Sequence, residues 1–272
     1  MAASDVTVKT LTSLDNPLVK SIRRLQQRPH HRARGNVILE GVKLAREALS
    51  SGMEVRQALV STDFAHSEAG RALLPRLEAA GVPRAVVDER IFRHCSSLES
   101  PEGILLVGRL ELRRLDELTG DLVLLAAGVQ DPGNLGAIAR VAEAGGASAL
   151  VVCKGTAHPF HPKALRGSMG SLLRLTVFDG EDPQTASAAL KKKGLCLVAC
   201  VPRGGLDFRE AELRRPIALA LGGESTGLGE NLLRWCDVRL SVPMQGRVDS
   251  LNVAVVAGLV LYEAVRQRGV AT

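Results

Sequence analysis

Apolar positions in the first third of this chain recur in short alternating runs and helix-spaced stripes. "NVILEGVKLAREALSSG" reads as a strand passing into an amphipathic helix, with Ala45, Ala48 and Leu49 on one face. "VRQALVS" predicts a strand, and "AGRALLPRLEAAG" a helix with Gly81 past its end. "PRAVVDERIF" and "GILLVGRL" read as further strands. Ahead of them, "NPLVKSIRRLQQRPHHRARG" predicts a basic helix that ends at Gly35. Together these elements predict a small α/β layer structure over residues 1–109. The charged stretch "ELRRLDELTGD" lies between apolar runs and places a domain boundary near residues 109–119.

From residue 119 the pattern changes to longer apolar runs separated by polar turns. Strand "LVLLAAGV" leads through loop "QDPGNLG" to helix "AIARVAEAGG", then strand "SALVVC" and a long polar stretch with a helix. Strand "LCLVAC", a helix, strand "IALALGG", helix "ENLLRWC", strand "VRLSVP" and a final apolar helix follow. That alternation predicts parallel strands with helices on both sides of the sheet. The last segment, "VPMQGRVDSLNVAVVAGLVLYE", puts a polar turn directly ahead of a helix whose sequence reads as deeply buried.

Composition narrows the class. The 272 residues are 46% hydrophobic and 24% charged, which suits a globular chain with a large core rather than a disordered one. A formal charge of +6 raises the expectation of a polyanionic partner only mildly. Aromatic residues make up 3%, too few for extensive base stacking on a nucleic acid. The five cysteines form no CxxC pair and read as free thiols of a reducing compartment. The opening "MAASDVTVKT" lacks the apolar core of a secretory signal, and the run Val253 to Leu261 is too short to span a bilayer; a cytoplasmic location is expected.

Three loops at predicted strand ends carry unusual chemistry, and ligands of open parallel sheets bind beyond such ends. In "VQDPGNLGAIARVAEAGG", Asn134 can cap the helix, and Arg140 either projects toward the loop's mouth or pairs with Glu143. "IALALGGESTGLGE" runs a continuous apolar strand into Gly222, Gly223 and Glu224, where glycines let a ligand approach the backbone. In the third loop, Ser250 and Asn252 either face a ligand or cap the last helix. The glycines do not spell GxGxxG, which counts against a dinucleotide-binding enzyme. "HPFHPK" sets His158 and His161 three apart, but Pro159 and Pro162 break a helix there; no metal is expected, and Lys163 and Arg166 follow on a rigid loop.

Taken in order, "NLGAIAR", "LGGESTGL" and "VPMQGRVDSLNVAVVAG" resemble the three signature motifs of the SpoU (TrmH-type) family, RNA ribose 2′-O-methyltransferases of the SPOUT class. The intervening "HPKALRGSMGSLLRL" is similar to the family's segment between motifs, and residues 1–109 resemble its RNA substrate-binding domain. The resemblance implies a parallel-sheet domain over 119–272 with a trefoil knot between roughly "PIALALGGE" and the final helix. It implies S-adenosylmethionine as methyl donor, held by Gly222, Gly223, Val242, Met244 and Leu251. It places Arg140 at the ribose hydroxyl, supported by Asn134, Glu224, Ser250 and Asn252. Arg140 is then either a base or, being almost always protonated, a holder of phosphate and developing alkoxide. A homodimer through the C-terminal domain is implied as well. The N-terminal basic residues Lys20, Arg23, Arg24, Arg28, Arg32 and Arg34 are expected to meet RNA phosphates, and Lys163 and Arg166 to face RNA from their loop. The extra N-terminal domain points to ribosomal RNA; a transfer-RNA methyltransferase and a non-catalytic RNA-binding protein that keeps the cradle are the alternatives.

Overall fold

The computed structural model describes residues 8–27, 35–224 and 226–269, so Arg28, Arg32 and Arg34 lie outside the described residues. Two units are resolved: residues 1–111 with 160–173, and residues 112–159 with 174–272.

In the first unit, alternating apolar residues build β1 (Val8–Leu11), β2 (Asn36–Glu40), β3 (Glu54–Ser61), β4 (Arg84–Val87) and β5 (Ile104–Arg109). The strands order as β1-β4-β3-β5-β2, with β1 and β3 parallel to β4, and β5 antiparallel to both β3 and β2. The basic helix α1 (Pro17–Gln27) turns Val19 and Ile22 fully inward and leaves Lys20 and Arg24 in solvent. "DERIF" is a helix rather than a strand. Asp88 accepts from the Ile91 N–H at 2.7 Å and starts the helix Glu89–Cys95. The alternation in "PRAVVDERIF" therefore stops at Val87, where a cap-forming carboxylate takes over.

The first unit also takes in the later helix Pro162–Gly167, which packs on β2. His161 caps that helix, its Nδ1 accepting from the Lys163 N–H at 3.1 Å. Pro162 thus opens a helix instead of breaking one, because a first-turn N–H has no intrahelical partner to lose. Phe160, Ala164, Leu165 and Leu172 of this excursion are all buried.

The second unit is built on an eight-stranded parallel sheet among the described residues, ordered β11-β13-β10-β12-β7-β8-β9-β6. The strands are β6 (Arg113–Arg114), β7 (Leu122–Ala127), β8 (Ala149–Val152), β9 (Val177–Asp179), β10 (Cys196–Cys200), β11 (Leu206–Asp207), β12 (Ile217–Gly222) and β13 (Val238–Ser241). Buried on both faces, β7 and β12 are unbroken apolar runs, as central parallel strands must be. Val123, Leu125, Val151, Phe178, Leu197, Ala218 and Ala220 join one core, each large side chain contributing about 1.5–3 kcal/mol by burial. The helix expected between "LCLVAC" and "IALALGG" is absent; β10 leads instead through turns and the two-residue β11. Short β6, β9 and β11 extend the sheet beyond the strands legible in the sequence.

Three longer helices pack on this sheet and are labelled here α2 (Pro132–Ala144), α3 (Pro183–Lys192) and α4 (Val253–Arg268). α2 and α4 pack so closely that a Cβ on Gly145 would lie 2.3 Å from Leu261. α4 is not buried all round: Val255, Leu259 and Tyr262 are 49%, 39% and 52% exposed on one stripe. At its far end Arg268 donates to the carbonyls of Leu213 (3.1 Å), Arg215 (2.7 Å) and Asp121 (3.1 Å) and so ties the segment before β12.

Candidate active site

The carboxyl ends of β13, β10 and β12 lie side by side, and the loops leaving them converge on one pocket. Cys200 to Pro202 come from the end of β10, Leu221 to Glu224 and Gly227 from the end of β12, and Val242 and Met244 from the exit of β13. Ser250, Leu251, Val253 and Val256 close it from the start of α4. The empty space among these residues, open solvent at the mouth included, is about 640 Å³.

All five residues expected to hold the cofactor, Gly222, Gly223, Val242, Met244 and Leu251, line this pocket, together with Glu224 and Ser250. The sequence reading missed Cys200, Val201, Pro202, Val253 and Val256 among its walls. Glycine is needed at both 222 and 223 for lack of space. A Cβ on Gly222 would lie 2.3 Å from the Gly227 carbonyl carbon and 2.5 Å from the Leu228 nitrogen. A Cβ on Gly223 would lie 2.4 Å from the Gly128 oxygen. Paired bonds between Gly223 and Gly227 (3.1 and 2.8 Å) close the loop on itself and fix the backbone that carries Glu224. Burial pushes the Cys200 thiol up to about 12, so the one sulfhydryl among the described wall residues stays neutral.

The polar end is a chain of oriented amides. The cap of α2 is Asp131, not Asn134: its Oδ1 accepts from the Gly133 and Asn134 N–H groups at 2.6 and 3.0 Å. Pro132 at the first helical position was the signal for this cap. With the cap filled by Asp131, the Asn134 side chain is released toward the pocket. Asn252 caps α4, its Oδ1 accepting from the Ala254 N–H at 2.9 Å. Its Nδ2 must then face outward, and it donates to Asn134 Oδ1 at 2.9 Å. The Asn134 Nδ2 is thereby turned to Glu224 and donates to its Oε1. A backbone N–H at the start of α4 thus sets the direction of every bond in the series, ending on a carboxylate.

Arg140 lies two helical turns along α2, exposed, with no hydrogen bond or ion pair among the described residues. Its expected alternative partner Glu143 is held by Arg174, whose Nη2 donates to Glu143 Oε2 at 2.9 Å. Asp249 is engaged by Arg203 at 2.6 Å.

The five expected RNA-binding residues all belong to the first unit. Lys20, Arg23 and Arg24 share a cleft with Leu14, Asp15, Gln27 and His94, and Lys20 pairs with Asp15 at 2.8 Å. Lys163 is exposed on the Pro162–Gly167 helix, and Arg166 donates to Ser97 Oγ at 3.4 Å. His94 was not foreseen; it comes from a helix that the sequence reading took as a strand. Among the described residues no group of three or more His, Cys, Asp or Glu could hold a metal ion.

Fold and pocket define a class: a parallel-sheet α/β protein with a preformed small-molecule pocket at the strand ends and an oriented carboxylate–amide cluster beside it. Comparison with known proteins narrows it. The chain belongs to the SpoU rRNA methylase family, whose family model matches residues 121–262. A second model, the MRM3-like substrate binding domain, matches residues 16–106. The 23S rRNA (guanosine(2553)-2′-O)-methyltransferase RlmP of Bacillus subtilis is 31% identical over 255 residues, 94% of this chain and 98% of its own. Among solved structures, the AdoMet-bound rRNA methyltransferase from Sinorhizobium meliloti matches with a TM-score of 0.85 at 28% identity, covering 97% of this chain and 99% of that one. The SpoU methyltransferase AviRb from Streptomyces viridochromogenes, in complex with AdoMet, matches with a TM-score of 0.84 at 28% identity, covering 94% and 100%.

Proposed function

We propose that this protein transfers a methyl group from S-adenosylmethionine to a ribose 2′-hydroxyl of ribosomal RNA. The observation that carries the reading is the meeting, in one pocket of a SpoU-family chain, of Gly222, Gly223, Val242, Met244 and Leu251 with Glu224 and Ser250. The residues fit the donor: apolar walls and side-chain-free glycines suit an adenosine lying against the backbone, and the polar contact of Glu224 with Asn134 lies beside them. When bound, S-adenosylmethionine supplies an electrophilic methyl group whose sulfonium leaves as a neutral thioether, so no acid or metal is needed at the leaving group. Asn134 and Asn252 hold the polar end in one geometry, which is what alignment of a weak hydroxyl nucleophile requires. Arg140, an exposed guanidinium on α2 with no ion pair among the described residues, is the group for the RNA phosphate and the developing alkoxide. A purely RNA-binding role does not explain why this amide series ends on a carboxylate at a preformed pocket.

The ribosomal target follows the relatives named above, and Lys20, Arg23, Arg24, Lys163 and Arg166 on one unit supply its phosphate contacts. No helix among the described residues is long and apolar enough to cross a membrane. A cytoplasmic location belongs to the same reading, supported by the rRNA-modifying relatives. The chain reads further as a two-fold homodimer, supported by the exposed Val255–Leu259–Tyr262 stripe of α4. The trefoil knot is part of the same reading, supported by the three loops that converge at 200–202, 222–227 and 242–251.

The test is to incubate the full chain with methyl-labelled S-adenosylmethionine and unmodified 23S rRNA, then digest with alkali. Label in alkali-resistant dinucleotides is expected, since 2′-O-methylation blocks cleavage. Label on a base, or binding of NAD in place of S-adenosylmethionine in calorimetry, overturns the reading.

A further inference from the structure

The first unit buries a carboxyl group that the transfer chemistry does not use. Glu40, the last residue of β2, is 4% exposed. A carboxyl group out of water is costly unless its oxygens find donors, and here the donors are neutral. Oε1 accepts from Ser96 Oγ. Oε2 accepts from the Ser97 N–H at 3.1 Å, from Ser97 Oγ at 2.9 Å and from Gln26 Nε2 at 3.4 Å. These partners come from the two elements that border the basic cleft. Gln26 lies three residues beyond Arg23 on α1, and Ser96 closes the helix Glu89–Cys95 that carries His94.

The network continues to a third basic element. Ser97 Oγ has a single proton and gives it to Glu40, so the face it turns to Arg166 is a lone pair. Arg166 Nη1 donates to that oxygen at 3.4 Å. Arg166 belongs to the helix Pro162–Gly167, which packs on β2 and carries Lys163 three residues earlier. Its guanidinium is half-buried and has no ion pair among the described residues. A neutral hydroxyl therefore aims it without cancelling its charge. α1, the helix of His94 and the helix of Lys163 and Arg166 are all tied to one buried group.

We propose that Glu40 is a positioning residue for RNA: it fixes the spacing between the basic group of α1 and Arg166, so that both meet phosphates of one folded RNA. This inference rests on the reading of the first unit as the RNA-binding one. Glu40 itself is buried and acts through Gln26 and Ser97. Without it, the Ser97 hydroxyl is free to turn its proton toward Arg166 and repel the guanidinium, and Gln26 loses its tie to β2. Folded RNA holds its phosphates at set distances, and a protein with matching fixed charges gains from that. A flexible single strand adapts to charges wherever they stand, so it responds to net charge alone.

The experiment uses the full chain and its variants Ser97→Ala, Arg166→Ala, the two combined, Glu40→Leu and Glu40→Gln. Filter binding of a folded 23S rRNA transcript and of oligouridylate is measured at several salt concentrations, beside calorimetry with S-adenosylmethionine. Ser97→Ala, at an exposed position, should weaken transcript binding about threefold to tenfold and lower the slope of log affinity against log salt by about one. Binding of oligouridylate and of the donor should stay within about twofold. In the Arg166→Ala background Ser97→Ala should add nothing, since it acts through that guanidinium. Glu40→Leu should lose more transcript affinity than Ser97→Ala. Glu40→Gln should restore it, because the amide oxygen serves Ser97 and Gln26 while its Nε2 faces the Ser96 hydroxyl, which accepts as well as donates. Additive losses at Ser97 and Arg166, equal losses on transcript and oligouridylate, or Glu40→Gln as weak as Glu40→Leu each overturns the proposal. If Glu40→Leu does not fold, the Ser97–Arg166 cycle decides alone. An unaltered chain that does not retain the transcript overturns instead the RNA-binding reading on which the proposal rests.

Discussion

Replacing Gly222 by alanine adds one methyl group where the structure has no room for it. The new Cβ would stand 2.3 Å from the Gly227 carbonyl carbon, 2.5 Å from its oxygen and 2.5 Å from the Leu228 nitrogen, all of them backbone. No side-chain rotation relieves such contacts. The 227–228 strand of the loop must retreat by about 1 Å, at a cost typical of overpacking, about 1–3 kcal/mol. Gly222 is hydrogen-bonded into the sheet opposite Ala127, so the displacement falls on the loop and not on β12. The loop carries Glu224, and a shift near 1 Å at a reacting group costs about 10² in rate. Gly246→Ala is the matched control, because a Cβ there meets nothing within 4 Å although it too lies on a site loop. Thermal melting should fall by roughly 2–4 °C per kcal/mol for Gly222→Ala and stay nearly unchanged for Gly246→Ala. Calorimetry should show S-adenosylmethionine affinity lowered at least about tenfold in the first and intact in the second, consistent with strain of that size. If Gly222→Ala binds the donor and turns over like the unaltered chain, the glycine is not there to hold the two backbones together, and the cradle is misread.

Asp131→Ala should lower the stability of the C-terminal unit by about 1 kcal/mol through loss of the α2 cap, whereas Asn134→Ala should cost less stability and more turnover; paired melts and rates separate them. Arg140→Ala should cut methyl transfer by about 10²–10³ with donor affinity unchanged, and calorimetry beside single-turnover assays checks both halves. Changing Lys20, Arg23 and Arg24 together to alanine should weaken transcript binding and flatten its salt dependence, read from binding isotherms at several ionic strengths. Leu259→Glu with Tyr262→Arg should convert a dimer to a monomer in sedimentation velocity if the exposed stripe of α4 is the contact. Glu263 is held down to about 2, first by Arg266 and then by Gln267, from an ordinary 4.5. Its stabilising effect is therefore full above about 4.5 and lost as pH falls toward about 2, so Glu263→Gln should flatten acid unfolding in that window.

The strand ends and the loops that leave them were legible because glycine, polar residues and long apolar runs sit next to each other there. Gly222, Gly223, Val242, Met244 and Leu251 come from three separated segments, yet all reach one pocket. Their grouping was what the resemblance to the SpoU family implied, and it accords with the rule that parallel strands present their carboxyl ends on one side. Helix starts were less legible. Asp131 and Asn134 are both good caps, and only the proline between them decides in favour of the first. The same proline logic makes His161 a cap rather than a break. The stripe on α4 was hidden because a helix apolar all round reads as buried, whether its last face is covered by its own chain or left open. Two-residue strands such as β6 and β11 leave no periodicity to find; the sheet edge beside them creates them.

The excursion of residues 160–173 into the first unit means that the polypeptide passes between the units at three places, not one. A single cut near residue 112 would not part them. The C-terminal fragment would still carry Phe160, Ala164 and Leu165, whose burial belongs to the other fragment's core. Two such pieces, made separately and mixed, should recombine as a complemented pair. The C-terminal piece alone would display an orphaned greasy hook, prone to aggregation.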